Sequence, residues 1–264
     1  MRGVPSRQFV LGVETNLAVA TGFPGSNYVR NGAILTVRNA IDGWASRTGI
    51  FKGMQGMDGF ENTTVTAVDQ LATIYARPSE RVLRKEIDHV DAVGRAFIAA
   101  SPFLVLATGS SHGLDCSPKG DKPGFVQVEE DGRTLLIPDR RGNNRIDSIK
   151  NVVEDPRVAL IFLVPGANET YRVNGRAQVS VDPVLKQRFA VDGKEPTTVI
   201  VVTVEQAFSH CPKALVRSDL WKAGKGDRPK GVPTLGDFAA ARTPGTDSSA
   251  YDADYARRMP SELY

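Results

Sequence analysis

Two cysteines and three histidines are all that 264 residues provide for thiol, metal or imidazole chemistry. Cys116 and Cys211 lie far apart without paired spacing, which excludes a disulfide framework and fits a reducing, cytoplasmic compartment. None of His89, His112 and His210 sits in a nucleophile or metalloprotease pattern. The spacings among His112, Cys116, His210 and Cys211 match no zinc-ligand pattern, so no metal is expected. No Ser-His-Asp set, P-loop or dinucleotide fingerprint is legible. Charge of one sign is also scarce. A net charge of +3 is too small to argue for nucleic acid or for a polybasic membrane patch. The longest apolar runs, such as VALIFLV at 158–164, fall far short of a bilayer span. Neither a nucleic-acid nor a membrane partner is expected. An enzyme built on this sequence would leave the difficult chemistry to a cofactor.

What is present is ordinary globular material, 41% hydrophobic and 24% charged, without internal repeats. The charge is uneven. Residues 1–56 carry six basic and two acidic side chains, net +4, which leaves −1 for the other 208. This segment keeps neither a helical nor a strand period. A targeting peptide, a disordered arm and upstream sequence from a start codon placed too early all fit. The third fits best, because MDGFENTTV from Met57 reads like a beginning. The expected organisation is an extension over 1–56, N-terminal helices over 57–100, a main β domain over 101–222 and a C-terminal loop with a closing helix over 223–264.

Between about Ala67 and Ala100 the period is helical. Ser79 caps a start at Glu80, Leu83, Ile87, Val90, Val93 and Phe97 form a core-facing stripe, and Pro102 ends the pattern. His89 falls on the surface of this helix. The period then becomes two. FLVLAT, GFVQVEE, RTLLIP, RVALIFLVP, ETYRVNGRAQVSV and TTVIVVTVEQAF read as six strands, with a hairpin turn at Asp131-Gly132. In the fifth, Tyr171, Val173, Gly175, Ala177, Val179 and Val181 share one face, and Arg172, Asn174, Arg176, Gln178 and Ser180 the other. Ile146, Ile149, Val152 and Val153 mark one amphipathic helix, and Asp182-Pro183 opens a short one. The spacings are too tight for βαβ crossovers, so the fold class is mainly β with peripheral helices, a six-stranded antiparallel barrel.

Three segments suggest binding. In PDRRGNNRIDSIKN (138–151) a helix beginning near Asn143 or Asn144 directs unpaired backbone N–H groups toward the preceding loop. Arg145 in its first turn is unfavourable for the helix dipole unless an anion neutralises it. An exposed turn whose arginines pair with Asp139 and Asp147 is an equal alternative, with Arg140 solvated. In HCPKALVRSDLW (210–221), Lys213 and Arg217 share a helix face that Trp221 extends, and two cations with an indole suit a flat anionic ring. A surface helix with a packed tryptophan explains the same residues. DCSPKGDKPGFV (115–126) places a hydroxyl and a lysine at a glycine-rich turn.

In combination, SPKGDKPGFV, IPDRRGNNRIDSIKN, DPRVALIFLVPGANETYRVNGRA and HCPKALVRSDLW resemble the pyridoxamine 5′-phosphate oxidase-like flavoproteins, nearest the bacterial branch of probable FMN-dependent enzymes. The resemblance implies an FMN-binding split barrel and a homodimer with FMN at the subunit interface. It implies that Arg145, Asn144 and Arg141 hold the phosphate. Only the last basic position of the family's Ser-Arg-Lys stretch is kept in Asn143-Asn144-Arg145. Ser117 and Lys119 would run along the ring system. Lys213, Arg217, Ser218 and Trp221 would close over it, from the partner chain. The oxidase's own substrate contacts are absent after Trp221, so its substrate is not implied and no catalytic residue is assigned. The expected activity is an FMN-dependent oxidoreductase. A deazaflavin-dependent reductase and a non-catalytic flavin-binding module are the alternatives.

Overall fold

Strand alternation and the glycines that interrupt it decide most of the architecture. The computed structural model describes residues 63–222 and 228–263. The readings for residues 1–56 lie outside these. The chain divides into two units, Met1–Ala76 and Arg77–Tyr264. In the first, the described residues form a 3-10 turn, Val68–Thr73, in which the Gln70 side chain accepts from the N–H groups of Thr66 and Ala67.

In the second unit the expected long helix is broken. Helix α1 (Glu80–Leu83) is one turn long, and α2 (Ala92–Ala100) starts afresh at Asp91, whose carboxylate accepts from Gly94 N. Between them Ile87 bridges to Ala207, and Val90 N donates to Gly132 O. The stripe is realised only in part: Ile87, Val90 and Phe97 pack inward, the first two from extended backbone, while Leu83 is exposed. Tertiary pairing outweighed the local period. Val93, assigned to the stripe, points to solvent.

Seven strands form one antiparallel sheet: β1 (Phe103–Ser110), β2 (Gly113–Gly120), β3 (Gln127–Val128), β4 (Thr134–Asp139), β5 (Arg157–Leu163), β6 (Thr170–Ser180) and β7 (Thr198–His210), ordered β2-β1-β5-β6-β7-β4-β3. The expected six-stranded barrel is corrected: seven strands form an unclosed sheet. The added strand is β2, which Gly113, Pro118 and Gly120 disguise as a turn, and it lies at an edge where proline is tolerated. The ladder does not close, because β2 and the two-residue β3 are both free edges. Arg95 covers the β3 edge by donating to the carbonyls of Val128 and Glu129. The turn before β4 is as expected. Gly132 is left-handed, and the Asp131 carboxylate accepts from the N–H groups of Arg133 and Thr134.

Register places Leu106, Leu160, Val173 and Ala207 in one row across four strands, all essentially inaccessible. Each fully buried leucine of such a row contributes roughly 1.5–3 kcal/mol. The other sheet face carries Val105 and Ile161, half-buried, beside Arg172, whose guanidinium lies 5.0 Å over the Phe208 ring. Helix α3 (Asp147–Glu154) packs Val152 into the core, and α4 (Pro183–Arg188) is capped by Asp182 as expected. Helix α5 (Lys213–Ser218) follows β7. Among its described residues the C-terminal segment holds two helices rather than one, α6 (Leu235–Arg242) and α7 (Ser248–Glu262).

Tyr171 is buried under α2, where only a glycine at position 94 leaves room for its ring. Burial, and then the nearby Asp91 carboxylate, push its phenol up to about 12 from 10.0. The unfolded chain loses this proton near pH 10 and the folded one resists until about 12. Stability should therefore fall by about 2–3 kcal/mol as pH rises through that window. Urea titrations at pH 9 and pH 12 check this, and Tyr171→Phe should remove that part of the slope.

Candidate functional site

The open sheet leaves a seam between β2 and the end of β4, and two ion pairs bridge it. Lys119 Nζ lies 2.6 Å from Asp139 Oδ1, and Arg140 Nε lies 2.8 Å from Asp121 Oδ2. All four side chains are largely buried, and Arg140 also donates to the Phe189 carbonyl. Arg140 is thus a structural cation and not the solvated one expected. Breaking a pair of this kind by removing one partner is costly, whereas the intact pair mainly fixes geometry.

On this seam lies a cleft of about 490 Å³. Ser117 and Lys119 of β2, Asp139 at the end of β4, the loop from Arg140 to Ile146, the first turn of α3 and Thr197 line it. Five residues singled out in the sequence, Ser117, Lys119, Arg141, Asn144 and Arg145, therefore meet in one place. Ser117 Oγ donates to Asp115 Oδ2 at 2.8 Å. The Lys119 charge is already neutralised by Asp139, a partner the sequence reading did not foresee for it.

The loop is built to present backbone. Asn144 and Ile146 both adopt left-handed conformations, with φ of 60° and 50°. Asparagine tolerates this, but a β-branched isoleucine there is strained. The helix consequently begins at Asp147, not at Asn143 or Asn144 as the sequence suggested. A left-handed residue just before a helix tilts successive N–H groups toward one concavity, a geometry suited to anions. Arg145 N is held by Asn143 Oδ1 at 3.0 Å, and Lys150 Nζ donates to Arg145 O at 3.0 Å.

Four cations and two carboxylates line the cleft, a net charge of +2. Lys119, Arg140 and Arg145 are each paired with a carboxylate. Arg145 Nε donates to Asp147 Oδ2 at 2.8 Å, and this bond holds its guanidinium above its already high ordinary value. That side chain is 75% exposed, so the pair contributes little. Among the described residues Arg141 is exposed and has no ion-pair partner. It is therefore the cation most available to a ligand, a rank the sequence reading gave to Arg145.

Lys213, Arg217, Ser218 and Trp221 do not line this cleft. They follow β7, whose whole length separates them from the cleft residue Thr197. Trp221 does not extend the α5 face either. The helix stops at left-handed Asp219, and the indole Nε1 donates to Ala167 O at 2.7 Å. Among the described residues no three His, Cys, Asp or Glu side chains converge as metal ligands, and no helix is long and apolar enough to cross a membrane.

Residues 76–211, which contain the sheet and the cleft, match a known family. The profile of "Pyridoxamine 5′-phosphate oxidase" fits residues 76–211, just over half of the sequence, and the chain belongs to that family. The profile takes in the whole cleft but stops before Lys213. Similar solved structures include a putative pyridoxamine 5′-phosphate oxidase from Lactobacillus delbrueckii, 18% identical, covering 46% of this chain and 95% of its own, TM-score 0.38. HupZ from Group A Streptococcus is 17% identical and covers 44% of this chain and 89% of its own, TM-score 0.37. General Stress Protein 26 from Bacillus anthracis is 16% identical and covers 43% and 88%, TM-score 0.34. Curated proteins yield no match.

Proposed function

We propose that this protein is an FMN-dependent oxidoreductase acting on a small molecule, with the flavin phosphate held in the seam cleft. One observation carries the reading: the exposed guanidinium of Arg141, without a carboxylate partner among the described residues, stands beside left-handed backbone at a helix start. A phosphate suits this donor set better than a carboxylate. It accepts the planar fork of Arg141, the Arg145 guanidinium released from Asp147, the Asn144 amide and the backbone N–H groups opening α3. A cleft of about 490 Å³ lies within the usual range for small-molecule sites.

The chain's residues would bind and orient the cofactor. Ser117 and Lys119 form the wall along which the ring would lie, and the Lys119–Asp139 pair keeps that wall rigid and close to neutral. When bound, the flavin would accept a hydride equivalent from the substrate and pass the electrons to an acceptor. Positive charge at Lys213, supplied by a second copy, would favour the reduced, more anionic cofactor. The half-buried face of β1 and β5, with Val105 and Ile161, supports association as a homodimer. In such a dimer Lys213, Arg217, Ser218 and Trp221 would reach the cleft of the partner.

Protein purified without added cofactor should carry a molecule with the spectrum and mass of FMN, reducible anaerobically by NADH or NADPH. A deazaflavin spectrum and mass would replace FMN by that cofactor. FMN that no nicotinamide reduces would leave a flavin-binding module.

A further inference from the structure

The loop that walls the seam cleft has a second side. Behind it lies a second cavity of about 520 Å³, which shares Arg140 to Asn144 with the first and is flanked by Tyr255, Met259 and Leu263 of the C-terminal segment. Tyr251, Tyr255 and Met259 recur every four residues along α7, so they form one apolar stripe on a single helix face. Tyr255 and Met259 are each about two-fifths exposed, half-covered by the protein and open to a ligand.

Helices α6 and α7 are tied to each other. Thr234 and Asp237 form a capping box at the start of α6, and Ser248 Oγ donates to Asp237 Oδ1 at 2.6 Å. Gly236 N donates to Asp252 Oδ1 at 2.7 Å. A side chain at Gly236 would overlap the Ser248 carbonyl oxygen, so the two helices cross at backbone contact. On the charged flank of α7, Arg258 binds Asp254 and Glu262, both at 2.7 Å.

The electrostatics of the compartment are one-sided. Its acids are engaged, Asp121 with Arg140 and Glu262 with Arg258. Its remaining cations, Lys122 and Arg141, have no ion-pair partner among the described residues. An aromatic and thioether wall facing two available cations fits a ligand with a flat apolar body and a single anionic group.

We propose that this compartment binds an aromatic carboxylate, with its anion on Arg141 and Lys122 and its ring between Tyr255 and Met259. It does not rest on the cofactor reading: Arg141 lines both cavities, so bound acid and a flavin phosphate would share this guanidinium, and the acid is not taken as the substrate. The matched family region ends at residue 211, so α6 and α7 are outside it.

Calorimetric titration of the full chain with naphthalene-2-carboxylate, and with neutral naphthalene-2-methanol, tests this. The acid should bind at least about tenfold more tightly than the alcohol. Met259→Glu should weaken the acid at least about tenfold while FMN affinity stays within about twofold, and Arg141→Gln should abolish the preference for acid over alcohol. Absence of acid binding, equal binding of the alcohol, or an unchanged acid affinity in Met259→Glu would overturn the proposal. Met259 is surface-accessible, so its replacement should leave the fold intact, which a thermal melt verifies. Acid binding with this dependence but no FMN binding would keep the compartment and remove the cofactor reading. FMN binding without acid binding would do the reverse.

Discussion

Gly175→Ala is expected to destabilise the protein by about 3 kcal/mol or more, lowering its melting temperature by roughly 10 °C. Gly175 sits at the register shift between β6 and β7, at the centre of the sheet. A Cβ there would overlap the Thr203 carbonyl oxygen and lie 3.0 Å from its carbon and 3.3 Å from Val204 Cα. These are backbone atoms and cannot turn aside as a side chain would. Relief requires separating the two longest strands, and Val204 N is also fixed to Arg133 O of the segment leading into β4. Gly142, with open space around it, is the control. Its alanine variant should lie within about 0.5 kcal/mol of wild type. Chemical denaturation of both variants decides, and equal stability would refute the close approach.

That glycine shows how far the sequence could be read. The alternation in ETYRVNGRAQVSV placed Gly175 on the inward face correctly, because a two-residue period survives a glycine. It gave no sign of the bulge, which depends on the partner strand. β2 was hidden for a related reason: Gly113, Pro118 and Gly120 are turn residues locally, and only pairing with β1 makes them a strand. The cleft was legible in part. Arginines, asparagines and a glycine at a strand-to-helix corner are a local signal, and they do converge. Whether each arginine is available is not a local property. Asp121 is distant from Arg140 in sequence, as Asp139 is from Lys119, and only the fold brings each pair together. Ile146 carries no sequence sign of its left-handed backbone, so the helix start was placed too early.

Arg141→Glu combined with Arg145→Glu is expected to reduce FMN affinity by at least about 100-fold. Each arginine offers a charge-assisted hydrogen bond worth about 1.5–3 kcal/mol, and each glutamate would add repulsion near the phosphate. The single variants should differ. Arg141→Glu should have the larger effect, because wild-type Arg141 has no ion pair among the described residues to give up and Arg145 must first leave Asp147. Neither should lower thermal stability appreciably, since both side chains are exposed and the two bridging pairs across the seam are untouched.

The phosphate assignment is tested most directly by titrating the wild-type protein with FMN and with riboflavin, which differ only in that group. FMN should bind at least about 100-fold more tightly, with the difference shrinking toward nothing in the double variant. Equal affinities of the wild-type protein for the two would contradict a phosphate site at this corner.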